Sequence, residues 1–287
     1  MKNTMLKPIE SDTMKNTMKT HILSPKPFLA AIAFSLAIPA QSATVAHWRF
    51  EGSDFLADSS GNNHSLTNND SVTQVTTTFP NPVPQTGQTN LNAASFSGSN
   101  HLSAADNNAF TNSQFTLEAF FSPSSLPGST ETRAIAGHFG SDGSFENQRS
   151  YGLFVRGSTL RVMMSNNGAG FDNVRIWDVG TIAANAQYYA AIAVDTSTQT
   201  ATIYLQDLST NTLQVFEQTD AFSTLHNSTA PFTIGSTGQG TALWQGTIDE
   251  VRLSNVKLTQ DQLLVIPEPS VALLGGFGML VLLRRRR

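Results

Sequence analysis

The stretch Gly246-Thr247-Ile248-Asp249-Glu250-Val251-Arg252-Leu253 decides how this chain folds. Successive side chains of a strand point to opposite faces, so Ile248 cannot share a face with Val251 and Leu253 while the strand stays regular. Either both faces of its sheet are covered, or a bulge near Asp249-Glu250 inserts one extra residue. The carboxylates share this question: in a regular strand they face opposite ways, whereas at a bulge they sit at a kink.

Working outward, residues 44–50 place Ala46, Trp48 and Phe50 on one side and His47 and Arg49 on the other. Further short strands are predicted at 93–97, 101–104, 115–121, 133–138, 150–156, 159–165, 174–177, 188–195, 201–205, 213–218 and 232–235. Gly157-Ser158 joins two of them as a two-residue hairpin with glycine first, as a type II′ turn requires. Residues 68–92 are polar and proline-bearing and read as a long surface connection. Thr259 and Gln262 have the spacing of a capping box, predicting one short helix near Leu263 and Leu264. About a dozen strands with no long amphipathic helix predict an all-β, two-sheet sandwich or jelly roll. No repeat is visible within residues 43–264, so one domain is expected there.

Four segments carry a family likeness: Ala46-His47-Trp48-Arg49-Phe50 with Asp58-Ser59-Ser60-Gly61-Asn62; Phe115-Thr116-Leu117-Glu118-Ala119-Phe120; Tyr189-Ala190-Ala191-Ile192-Ala193-Val194-Asp195 with Ala201-Thr202-Ile203-Tyr204-Leu205; and the opening stretch. In this order they resemble the laminin-G-like, concanavalin A-like jelly roll. Phe120 departs from the tryptophan usual there, and residues 68–92 form an unusually polar insertion. The resemblance implies that the first and last strands run close together, which could bring the Asp58 loop near Asp249.

Both ends read as export signals. Lys15, Lys19 and Lys26 precede an apolar segment from Phe28 to Ile38, and Ala40, Ser42 and Ala43 follow, the layout of a signal peptide over residues 1–42. Met1 to Met5 repeats at Met14 to Met18, so translation could start at either methionine. At the other end, Pro267-Glu268-Pro269 precedes an apolar run from Val271 to Leu283 and then Arg284, Arg285, Arg286 and Arg287. Such a run of about 13 residues is short of the roughly 20 that cross a bilayer core, and snorkelling arginines make up part of the difference. Arginines stay on the cytoplasmic side, which places the domain outside. Residues 265–287 resemble the PEP-CTERM sorting signal. That likeness implies an exosortase-type membrane enzyme as partner, anchoring in the inner membrane before cleavage, and then display at the cell surface or in the extracellular matrix. An ordinary tail anchor is the alternative.

Composition narrows the function classes. Without both ends the chain keeps eight Lys+Arg and 18 Asp+Glu and stands near −10, although the whole chain is −4. That balance repels phosphate backbones and argues against nucleic acid. No cysteine is present, which excludes disulfides, thiolate zinc sites and thiol nucleophiles. The six histidines show no metal-ligand spacing, and no nucleophile elbow or phosphate-binding glycine loop occurs.

Three candidate chemistries remain. Asp58, Asn62 and Asp249 could supply oxygens to a structural calcium ion; the plainer alternative is a hydrogen-bonded turn around Asp58. Trp177 and Trp244 are the tryptophans best placed to stack on sugar rings, with Tyr151, Phe171 and His138 as weaker candidates, although core packing is the default for any aromatic. Glycoside hydrolysis needs two carboxylates flanking one bond, and neither Glu118 nor the adjacent Asp249 and Glu250 has a partner two residues away on a strand. The expectation is an exported, non-catalytic module for polysaccharide or glycan. A structural matrix or envelope protein is the first alternative, and a divergent glycoside hydrolase the second.

Overall fold

The computed structural model describes residues 44–266, apart from Asp142 and Gln239. Its strands are β1 (Thr44–Trp48), β2 (Thr67–Asn69), β3 (Thr73–Thr76), β4 (Asn92–Ser97), β5 (His101–Ala104), β6 (Gln114–Pro123), β7 (Thr132–Gly140) and β8 (Gln148–Arg156). They continue as β9 (Thr159–Ser165), β10 (Val174–Val179), β11 (Tyr188–Asp195), β12 (Thr200–Asp207), β13 (Thr212–Gln218), β14 (Phe232–Ile234) and β15 (Gln245–Ser254). One sheet has the order β13-β12-β11-β6-β15-β4-β3, with β1 also on β15; the other runs β10-β9-β8-β7-β14-β5-β2. This is an all-β two-sheet sandwich, and its first and last strands pair, as expected.

The opening stretch resolves its parity problem in both ways at once. On β6, Phe120 faces Asp249 and Glu118 faces Arg252, so Glu250 and Val251 together stand opposite the single residue between. Glu250 takes the extra place with φ of 48°. The bulge returns Val251 and Leu253 to the side of Ile248, and all three enter the core between the sheets. Asp249 and Glu250 therefore do not point to opposite faces of a regular strand: neither joins that core, and both are buried at the outer face of the first sheet.

That outer face is covered as well. Phe120, Tyr189, Ala191, Ala193 and Tyr204 meet Phe79, Val83, Leu258, Leu263, Leu264 and Val265 in a second apolar layer. This is why β11 is buried along almost its whole length, with alternate residues entering different cores. The segment expected to be a bare connection at 68–92 thus holds β3 and a loop that packs onto the sheet. Its strand was hidden because Thr73-Gln74-Val75-Thr76 carries almost no apolar signal, its pairing being supplied by β4. The expected helix is a single 3-10 turn, Gln260–Gln262, with Gln262 Oε1 accepting the Thr259 N–H at 3.0 Å. The domain extends to Val265, which is buried rather than part of a free tail. The signal peptide and the residues Pro267, Glu268, Pro269 and Arg284 to Arg287 lie outside the described residues.

Candidate groove on the second sheet

The outer face of the second sheet carries a hollow of about 420 Å³. The tight hairpin at Gly157-Ser158 fixes the register Arg156↔Thr159 between β8 and β9, with Gly157 at φ of 53°. Alternation then sends Tyr151, Leu153 and Val155 into the core, while Phe154 and Arg156 line the hollow. On β9 the same rule turns Arg161 and Met163 outward, and on β10 Ile176. Phe154 crosses the strand over Gly152: a Cβ there would stand 2.7 Å from the ring. Phe139 meets Phe154 edge-on at 5.2 Å. These residues make an apolar floor.

Polar groups rim this floor. Arg161 makes a two-pronged ion pair with Asp178 directly across the ladder, at 2.7 and 2.6 Å. Phe171 stands 55 % exposed in a 3-10 turn, with the Arg149 guanidinium 4.8 Å from its ring centre. Arg156 makes no side-chain hydrogen bond or ion pair with any described residue. Two adjoining hollows continue the depression. One of about 510 Å³ shares Thr132 and Ala242 with the first, and one of about 240 Å³ shares Arg156 and reaches Asp178.

The residues singled out from sequence fall elsewhere. Trp177 and Trp244 do not line the hollow; both belong to the core between the sheets. Trp244 packs edge-on against Phe121 at 5.8 Å, and Trp177 donates from Nε1 to Asp220 at 3.1 Å. Burial of large apolar area outweighs the availability of their faces. Tyr151 is buried with its hydroxyl donating to the Phe110 carbonyl at 2.6 Å, and His138 is buried against the Ala230 carbonyl at 2.8 Å. Of the aromatics named, Phe171 alone lines the hollow. Phe154 and Arg156 are not singled out by sequence, because alternation over residues 150–156 does not say which face borders a hollow. Their signal was there, in outward positions that were not uniformly small or polar.

The carboxylates considered for calcium are otherwise engaged. Asp58 accepts from the His47, Ser60 and His64 amides and the Ser60 hydroxyl, all within 3.0 Å. Burial opposes ionisation of Asp58, but those amide bonds outweigh it and hold its pKa below the usual value. Asn62 donates to the Thr44 and Val45 carbonyls. Asp249 accepts instead from Thr77, Asn90 and the Glu250 amide. An ion shared by Asp58 and Asp249 would have to displace these bonds, so this donor set does not fit a ready calcium shell. Among the described residues no group of three or more His, Cys, Asp or Glu is arranged for a metal.

Glu118 on β6 and Glu250 of the opening stretch are likewise held by contacts within the fold. Glu118 accepts from Arg252 at 2.6 and 2.7 Å, from the Tyr189 hydroxyl at 2.6 Å and from the Leu264 amide at 2.9 Å. Glu250 pairs with His47 at 2.6 Å and Arg49 at 2.9 Å. These contacts fasten 256–266 and the segment after β1 onto the first sheet.

Residues 96–264 match the family of the concanavalin A-like lectin/glucanases superfamily. The chain belongs to that superfamily. Among solved structures it is similar to HCR/D-Sa-GBL1/C, at 10% identity and a TM-score of 0.51 over 78% of this chain and 51% of that one. It is also similar to domain 4 of AbnA, an extracellular arabinanase from Geobacillus stearothermophilus solved with arabinotriose, at 16% identity and a TM-score of 0.49 over 78% of this chain and 97% of that one. A third is the CBM40 of the Ruminococcus gnavus IT-sialidase bound to α2,3-sialyllactose, at 13% identity and a TM-score of 0.41 over 53% and 80% of the two chains. At these identities the likeness is one of fold. Among curated proteins no relative matches this sequence.

Proposed function

We propose that this protein is an exported, non-catalytic module that holds polysaccharide or glycan in the groove on its second sheet. The observation that carries this reading is the juxtaposition, in one open hollow, of the exposed apolar side chains of Phe171 and Ile176 with Arg156, whose guanidinium has no partner among the described residues. Sugar rings present apolar C–H faces edged by hydroxyls, and such a floor with a polar rim is their complement. Membership of a superfamily of lectins and glucanases supports the ligand class. The described carboxylates that line the depression, Glu131 and Asp178, lie in different adjoining hollows, and Asp178 is already paired with Arg161, so the reading is one of binding. The proposal includes export through the N-terminal signal and processing by an exosortase-type enzyme at the Pro267-Glu268-Pro269 tail, ending at the cell surface or in the extracellular matrix.

A glycan array probed with the full-length chain and with Phe171→Ala tests the binding claim. Phe171 is exposed, so the variant should melt at the wild-type temperature yet bind its polysaccharide several-fold more weakly. Absence of binding to every glycan would remove this reading and leave a structural role in the envelope.

A further inference from the structure

The two sheets differ sharply in charge. Strands of the first carry six acids, Glu118, Asp195, Asp207, Glu217, Asp249 and Glu250, against one arginine, Arg252. Strands of the second reverse this, with Arg133, Arg149, Arg156, Arg161 and Arg175 against Asp178 alone. An acidic domain thus concentrates its strand arginines on the sheet that bears the groove.

Most of these cations already have work within the fold. Arg161 is held by Asp178, Arg175 by Asp220, Arg133 by the Ser125 carbonyl and hydroxyl, and Arg149 by the Ser141 carbonyl. Arg156 is different: the half-buried residue lines both the central hollow and the smaller one, and its guanidinium has no acceptor among the described residues. A planar fork of donors left open beside an apolar floor is matched by a planar anion. In a uronic acid the carboxylate projects from the edge of the sugar ring, so one face can lie on the exposed Phe171 or Ile176 while the carboxylate reaches sideways to the rim. The adjoining hollows, joined through Thr132 and Ala242 on one side and Arg156 on the other, give room for neighbouring sugars of the same chain.

We infer that the groove is built for an acidic polysaccharide, a chain containing uronic acids, and that Arg156 selects it by pairing with a ring carboxylate. This rests on the glycan-binding reading above and adds the ligand's charge and the residue that reads it.

Affinity electrophoresis of the full-length chain provides the test. The gels contain polygalacturonate, the same polymer after carboxyl reduction to the neutral sugar, or dextran sulfate. Polygalacturonate should retard the wild type, and Arg156→Gln should weaken that binding roughly tenfold or more, as loss of a charge-assisted pair implies. Arg156→Lys, which keeps charge without the fork, should fall between. The neutral polymer should bind wild type and Arg156→Gln equally and weakly. Because the Arg156 side chain makes no hydrogen bond or ion pair with any described residue, both variants should melt as the wild type does. If Arg156→Gln binds polygalacturonate as tightly as wild type, or if carboxyl reduction leaves binding unchanged, the inference is overturned while glycan binding stands. Equal Arg156-dependent retardation by dextran sulfate would overturn the choice of carboxylate. Failure of every glycan, here and on the array, would instead overturn the function proposed above.

Discussion

At the scale of single residues, the buried acids of the first sheet and the open cation of the second show opposite uses of charge. Glu118 is fully buried and its oxygens accept from three groups. Glu118→Ala would leave Arg252 buried without its counter-charge, and urea unfolding should register a loss of about 3–5 kcal/mol. Asp249 follows another rule. Burial, and then the neighbouring Glu250 carboxylate, push its pKa well above the ordinary 3.8. Between the ordinary and the raised value the folded state keeps a proton that the unfolded chain releases, so this residue's contribution declines as pH rises through that window. Asp249→Asn removes the titration. Its unfolding free energy, measured from about pH 4 toward neutrality, should fall less steeply than that of the wild type.

At the scale of elements, paired strands β7 and β8 separate the needs of the fold from those of the groove. Gly137 and Gly152 face each other across this ladder, and neither has room for a methyl group. At Gly137 a Cβ would meet backbone, 2.6 Å from the Tyr151 carbonyl oxygen and 2.7 Å from the Gly152 Cα. At Gly152 it would meet the far edge of the Phe154 ring, which can swing aside. Gly137→Ala should therefore lower the melting temperature clearly. Gly152→Ala should lower it less but weaken glycan binding, because the ring leaves the floor of the hollow; thermal melts set beside glycan affinity would separate the two. Equal effects of both variants on stability, with no change in affinity, would count against the groove. The β15 bulge is an element-level device of the same kind, aligning Ile248, Val251 and Leu253 while turning two carboxylates away from the core between the sheets.

At the scale of the whole molecule, each sheet has its own outer layer. The first is sealed by 77–91 and 256–266, which leaves the arginine-bearing sheet as the open face. An acidic ligand attracted to that face should be released by salt. Retardation by polygalacturonate should weaken steadily between 0.05 and 0.5 M NaCl (about the range over which screening becomes short-ranged), while binding to the neutral polymer should change little. Salt-independent retardation would mean that charge does not guide this contact.

Strand positions, the all-β class and the hairpin at Gly157-Ser158 were legible in the sequence, because alternation and turn chemistry are local properties that residues two to four apart express by themselves. The choice between a covered sheet and a bulge at Asp249-Glu250 was posed there but not answered, since the answer depends on what β6 presents opposite. Which aromatics stay open was decided by tertiary structure alone. Trp177 and Trp244 entered the core between the sheets and Phe154 was buried with Phe139 and Met163 on the outer side of the second sheet, whereas Phe171 remained exposed beside the hollow. Arg156 reads like any other arginine in the chain; only folding shows that its neighbours hold partners and that it has none among the described residues, because pairing is a matter of distance in space and not along the sequence.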